Sequence, residues 1–491
     1  MGTSSVTIRL SVDRPTGNFW IDTGLVVLLG QFGEGEHPAE DVLRWLQGSL
    51  LQPSGNQGEY YDEQAGKIRS YDKVNWVYPT NLFIKVSGSA PKVKIDGKDY
   101  FSHPPKFELN LKLNKKPDIC DLCGDKAQLT DATMWMYPFV VDPQKFGTFY
   151  PGAKRGLRLC ARCALAGLAG YLGWLWKAQG RDALHFFIFH SDLREMERLH
   201  REVLEPLRMA SEKGGTAPVV FAGPYGNETT LGLLLALFQH VRQSDVLTDE
   251  ARQLLATLLG ATDRPPPPIT LYAITGTPGQ AFQMKALREF SKLQRLFRLY
   301  EGWLALLAEQ GIDNPHHRVG LILGQFWTQQ GQNRESIWRD RIAWAILEFG
   351  DPSPVIEQFL FEARAKEENP RPLVRGTIEV LNQYLREVFG MDEQFQRTLA
   401  GFGHSLGSAA QQRNEMGLLF ALRNAKNPED FYRVLNDVQF RLELTIPEAL
   451  LRIEKGERIA GVPWIRVKTL LSTYAMNAFL RKGTAEQKEE P

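Results

Sequence analysis

The sequence predicts an α+β protein: a mixed, strand-rich N-terminal domain with a four-cysteine zinc-knuckle insertion, then a mainly helical C-terminal half ending in a helical bundle. Three observations carry this reading. Residues 71–114 alternate apolar and polar side chains, all four cysteines fall between 120 and 163, and beyond about residue 281 nearly every segment has helical period between proline-marked breaks.

In chain order, residues 5–12 alternate as a strand, "RPTGNFW" turns the chain, and "WIDTGLVVLLG" reads as a short buried helix. Strands follow in "NLFIKVSG" (81–88), "PKVKIDGKDYF" (91–101) and "KFELNLKLN" (106–114), with Asp96-Gly97 as a hairpin turn. Helices begin at 160. Buried strands are expected at 181–190, 217–223 and 268–276, the last led in by the stiff run Pro265 to Pro268. The charged, proline-broken segment 366–372 reads as a linker. The resulting division is a basic strand-rich region (1–119), the knuckle insertion (120–163), a mixed remainder of the N-terminal domain (164–280), a helical connection (281–370) and the C-terminal bundle (371–491), with the last residues frayed.

A chain of 491 residues with 43% hydrophobic and 23% charged residues is an ordinary globular composition, long enough for more than one core. Its net charge of +1 excludes a polycation that binds nucleic acid indiscriminately, so any such surface is local. The N-terminus lacks an apolar leader, and the run at 164–176 is shorter than the ~20 residues of a membrane span. A cytoplasmic location without membrane contact is the expectation.

Cys120 and Cys123 form C-D-L-C-G, and Cys160 and Cys163 form C-A-R-C, with 36 residues between the pairs. Two such knuckles supply four thiolates for a tetrahedral zinc shell, and Gly124 gives the first knuckle a permissive backbone. Four sulfurs leave no open position, so the zinc would be structural rather than catalytic. Unpaired core thiols or two redox pairs are the alternatives.

Residues 85–116 hold eight lysines (Lys85, Lys92, Lys94, Lys98, Lys106, Lys112, Lys115 and Lys116) against three acids. A cationic hairpin of this kind can follow a phosphate backbone, and it can equally guard an edge strand against aggregation. Asp96-Gly97-Lys98 also spells half of a nuclease site, but Asp-Gly is foremost a turn. Arg288, Lys292, Arg295 and Arg298 have the spacing of one helix face, and Arg413, Arg423 and Lys426 add charge to the bundle. His316-His317 follows a proline and reads as a turn.

Gly403-His404-Ser405-Leu406-Gly407 spells the nucleophile elbow of a hydrolase. The flanking residues have helical period and no histidine follows His404, so neither the strand before the elbow nor the partner after it is available. The small residues instead predict close helix packing, with Gly403 and Gly407 on one face. No P-loop, dinucleotide or H-E-x-x-H motif occurs.

Together, "TGNFWIDTGLVVLLG", the "CDLCG" knuckle with its later C-x-x-C, and the run from "FGHSLGSA" through "LLFALRNAKNPEDFYRVLNDVQF" resemble the large subunit of type I CRISPR Cascade complexes, the Cas-eight family of subtype I-B or its I-A relatives. The resemblance implies a non-enzymatic subunit that works with a guide RNA, target double-stranded DNA, and the backbone and handle-binding subunits. It implies an N-terminal domain that reads and opens the PAM duplex, a C-terminal bundle along the R-loop, and recruitment of a separate helicase-nuclease. On that reading Lys85, Lys92, Lys94, Lys98, Lys112, Lys115, Lys116, Arg413, Arg423 and Lys426 are candidates for DNA backbone contact, and Asn75 and Asn81 for base edges, since Asn pairs bidentately with adenine. Some members yield a free small subunit from an internal start, for which Met391 is placed after the linker. A zinc-containing enzyme of unfamiliar type and a zinc-stapled scaffold are the competing readings.

Overall fold

The computed structural model describes residues 6–76, 91–104, 109, 111–133, 136, 156–179, 183–211, 215–259, 269–277, 283–330 and 333–481. It is an α+β chain in two compact units, residues 1–218 with 240–291, and residues 219–239 with 292–491. The segment 366–372 read as a linker lies within the second unit.

The first unit opens with β1 (Thr7–Leu10), α1 (Phe19–Phe32), β2 (Gly35–Pro38) and α2 (Ala39–Leu50). The turn before α1 is held by Asp22, fully buried, whose carboxylate accepts from Thr16 N (2.8 Å), Thr16 Oγ1 (2.7 Å), Gly17 N (2.9 Å) and His190 Nε2 (3.2 Å). Asn18 caps the helix through the amides of Trp20 and Ile21. Residues Trp20 to Leu29 are all buried, Asp22 and Thr23 among them, as a helix apolar on nearly every face must be.

A long hairpin, β3 (Leu51–Asp62) and β4 (Lys67–Trp76), joins β5 (Lys92–Ile95) and β6 (Lys98–Phe101) in a sheet of order β4-β3-β6-β5. Asp96 and Gly97, at φ 50° and 80°, make the predicted turn between β5 and β6. The polar sequence of β3 hid it from pattern reading. Short strands β7 (Asp118–Ile119), β8 (Lys126–Ala127), β9 (Leu129–Asp131) and β10 (Arg158–Cys160) then lead into α3 (Ala161–Gly173). The strand expected at 106–114 is not formed over its described residues, Leu109 and 111–114, which run irregularly.

Helix α3 is buried along its whole length and packs on α1 at glycine contacts: a Cβ on Gly24 would lie 1.7 Å from the Ala166 carbonyl oxygen. Trp20 donates its indole N–H to Gly167 O (2.9 Å) and stands edge-on to Tyr171 and Trp174.

After β11 (Leu175–Gln179) and β12 (Ala183–His190) come α4 (Leu193–Leu199), a π-helical turn at His200–Leu204 and α5 (Glu205–Met209). Next along the chain are α6 (Gly226–Arg242), whose body belongs to the second unit, and α7 (Asp249–Leu258). Strands β13 (Thr270–Thr277) and β14 (Gln283–Phe290) complete an antiparallel sheet of order β11-β12-β13-β14. The predicted strands at 181–190 and 268–276 are thus β12 and β13. The one expected at 217–223 is irregular chain, and Pro265 to Pro268 lie outside the described residues.

The second unit continues with α8 (Leu293–Glu309), α9 (Pro315–Gly324), the hairpin β15 (Thr328–Gln330) and β16 (Asn333–Glu335), α10 (Ile337–Leu347), α11 (Ser353–Gln358), α12 (Thr377–Phe389), α13 (Glu393–Gln412), α14 (Met416–Asn424), α15 (Pro428–Leu442) and α16 (Trp464–Phe479). His316 and His317 sit in the first turn of α9 rather than in a loop, because Pro315 suits the N1 position and Asn314 caps the helix through His317 N. The presumed basic helix face is corrected as well: Arg288 belongs to β14, Lys292 precedes α8, and only Arg295 and Arg298 share that helix.

Candidate metal centre

The first knuckle hangs between β7 and β8. Cys120 N donates to Asp125 O (2.9 Å) and Gly124 N to Cys120 O (3.0 Å), with Gly124 at φ 74°, the left-handed turn that a glycine adopts without strain. The second knuckle is the strand-to-helix joint of β10 and α3. Cys160 is the N-cap of α3, its sulfur accepting from Cys163 N (3.5 Å), and Cys163 lies in the first helical turn.

The four sulfurs, drawn from segments 36 residues apart, lie within 4.8 Å of one another. Cys123 Sγ is 3.7 Å from Cys160 Sγ, and all four thiols are free of disulfides. Tetrahedral zinc with Zn–S bonds of ~2.3 Å requires sulfurs about 3.8 Å apart, so the cluster has the size of a metal shell. Cys120, Cys160 and Cys163 are buried and Cys123 is half-buried. Cys160 N adds a bond to Cys120 Sγ (3.3 Å).

The electrostatics point the same way. Hydrogen bonding from Cys123, then from Cys160 and Cys163, holds the Cys120 thiol well below its ordinary range. Cys163 is pushed far up by Cys120, Cys123 and Cys160 and by burial. Four sulfurs this close cannot all ionise on their own, whereas a bound divalent cation reverses that balance and keeps every one as thiolate.

Charged residues brace the knuckles. Arg14 pairs with Asp125 (2.8 Å), Arg162 approaches the same carboxylate (3.7 Å), Arg158 pairs with Asp118 (2.7 Å), and Asp121 accepts from Arg158 N (2.7 Å). Beside them a cleft of about 390 Å³ is lined by Arg9, Arg14, Lys126 and Arg162, with Asp125 the carboxylate among its described lining residues. Pattern reading missed this cleft because its cations come from β1, the turn before α1, β8 and α3.

The other candidates divide. Lys92 and Lys94 are exposed on one side of β5, which is the outer strand of its sheet, so the edge-guarding role also fits them. Lys98 is tied to Glu59 (2.8 Å) and lies over the Tyr100 ring. Lys112, Lys115 and Lys116 are exposed in the chain leading to β7. Asn75 is in β4 opposite Gln52, and Asn81 and Lys85 lie outside the described residues.

In the second unit, Arg413 is exposed but pairs with Glu443 (3.0 Å), and Arg423 is mostly covered and paired with Glu357 and Glu362, which leaves Lys426 as the exposed cation of the three without a carboxylate partner among the described residues. The hydrolase-like pentad lies inside α13, where Ser405 Oγ donates to Gly401 O (3.1 Å) as a helical serine does.

Comparison of the chain with protein-family models and with curated proteins finds no match. Among the described residues no helix is long and apolar enough to cross a membrane.

Proposed function

We propose that this chain is the non-catalytic large subunit of a type I CRISPR guide-RNA complex, a cytoplasmic assembly in which it holds a structural zinc, engages the PAM duplex and supports opening of target DNA. The observation that carries the reading is the four-cysteine cluster. It joins two knuckles into one closed shell beside a cationic cleft, and a closed shell has no position for a substrate or a reactive water.

Zinc would be held by Cys120, Cys123, Cys160 and Cys163 and would supply cross-linking rather than chemistry. Arg9 and Lys126 in the cleft, with Lys92 and Lys94 on β5, are exposed cations suited to duplex phosphates. Base pairing with a guide carries sequence recognition in such complexes, so the protein needs only local basic tracks. That accords with a net charge of +1. The helical second unit serves as support for the opened strands, with backbone subunits and a recruited helicase-nuclease as partners.

The test is purification of the tagged chain from its native host. A guide RNA of uniform length is expected to copurify, and the assembly is expected to bind target duplex without cutting it in the presence of divalent metal. Arg9→Ala, Lys126→Ala, Lys92→Ala and Lys94→Ala together should weaken duplex binding and flatten its dependence on salt. Cleavage by the isolated chain, or an assembly devoid of RNA, overturns the reading.

A further inference from the structure

The second unit contains a pocket of about 410 Å³ between the start of α6's approach, α9, the β15–β16 hairpin and the chain before α12, and its wall is rich in arginine: Arg334, Arg339, Arg364 and Arg371, with His317 and Trp327. Two of these charges are already balanced. Arg339 pairs with the buried Glu228 and donates to Ala222 O (2.9 Å), while Arg364 pairs with Glu367 (3.2 Å). Arg334 and Arg371 have no carboxylate partner among the described residues, and both are exposed.

Arg364 is the unusual member. It is 1% exposed, its Nε has no hydrogen-bond partner, and Arg371 lies near enough to repel its charge. The unused buried Nε of Arg364, beside two cations that lack a carboxylate among the described residues, makes a position that an anion would complete. The pocket also offers an aromatic surface, because Trp327 is half-buried with the Arg334 guanidinium 4.4 Å from its ring centre. Gly320 and Gly324, one turn apart on α9, line the same space and pack against Val220 and Phe221.

We propose that this pocket binds the phosphate of a nucleotide unit, with Arg334, Arg364 and Arg371 as its cationic wall and Trp327 as the surface on which the base rests. Forked guanidinium donors match phosphate oxygens, and an indole accepts any base face. The unit can belong to a free mononucleotide or to a nucleic-acid strand. The proposal stands independently of the guide-RNA reading above.

The test is calorimetric titration of the full chain with inorganic phosphate, AMP and adenosine. AMP should bind more tightly than phosphate, and adenosine weakest; no saturable heat from phosphate or AMP, or adenosine binding as tightly as AMP, overturns the site. The double variant Arg334→Ala, Arg371→Ala changes exposed residues and should keep the melting temperature while weakening AMP about tenfold or more. Unchanged affinity overturns the assignment. Trp327→Ala should weaken AMP and spare phosphate, and equal loss of both overturns the stacking role. A 5′-phosphorylated tetranucleotide and its 5′-hydroxyl twin separate the sources: preference for the first assigns a strand terminus, equal binding assigns backbone phosphates, and binding of AMP alone assigns a free nucleotide.

Discussion

Gly407 of α13 meets Ala475 of α16 so closely that a Cβ on 407 would lie 2.0 Å from the Ala475 carbonyl oxygen. One turn earlier, a Cβ on Gly403 would lie 2.6 Å from the Tyr474 side chain. The pentad that spells a hydrolase is a groove for a neighbouring helix.

This contact sets up a paired measurement. Gly407→Ala forces backbone against backbone and should cost about 1–3 kcal/mol even after the gain in helix propensity. On the same helix Gly401 has open space, so Gly401→Ala should stabilise by about 0.5–1 kcal/mol. Urea unfolding of the two variants checks both signs, and a stabilised Gly407→Ala would remove the packing argument.

The metal centre predicts about one zinc per chain by elemental analysis. Cys160→Ser should abolish stoichiometric zinc and lower the melting temperature by several degrees, since serine can keep the N-cap of α3 but would not complete a four-thiolate shell. Chelation of the wild-type protein should have the same effect, reversed by added zinc.

Asp22 is buried with four donors on its carboxylate. Asp22→Ala leaves the amides of Thr16 and Gly17 and the Thr16 hydroxyl unsatisfied, and should destabilise by about 2–5 kcal/mol. Hydrogen exchange should localise the loss to the turn at 16–18.

Burial raises the carboxyl of Glu357 to about 7 from its ordinary 4.5, against the attraction of Lys468 and Arg423. Between those values the folded chain binds more protons here than the unfolded chain, so this group's contribution to stability falls as pH rises through the window. Glu357→Gln keeps the neutral shape. Its stability relative to wild type should rise by about 1–3 kcal/mol from acid to neutral pH in urea titrations.

Local rules were enough for several parts of this molecule. The Asp96-Gly97 turn, the capped and largely apolar α1, the strands β12 and β13 and the helix carrying the pentad each depend on side-chain period or turn chemistry within a few residues, and these were legible. Two C-x-x-C spacings were likewise enough to nominate a metal shell, because the ligand chemistry is written in the residues themselves.

Pattern failed where pairing and spatial assembly, rather than side-chain period, decide the structure. β3 is too polar to show a period and is held by pairing with β4, β14 continues a sheet whose register is set by β13, and the apolar stretch at 217–223 forms no strand. The arginine pocket gathers cations from 334 to 371 and the cleft beside the sulfurs gathers them from 9 to 162. The sequence by itself determined the α+β class, the helical second half and the identity of the four sulfurs. Only the tertiary structure decided that those sulfurs converge, that Arg423 is spent on Glu357 and Glu362, and that Arg334 and Arg371 find no carboxylate among the described residues. Period and spacing are properties of neighbours in the chain, whereas charge balance is a property of neighbours in space.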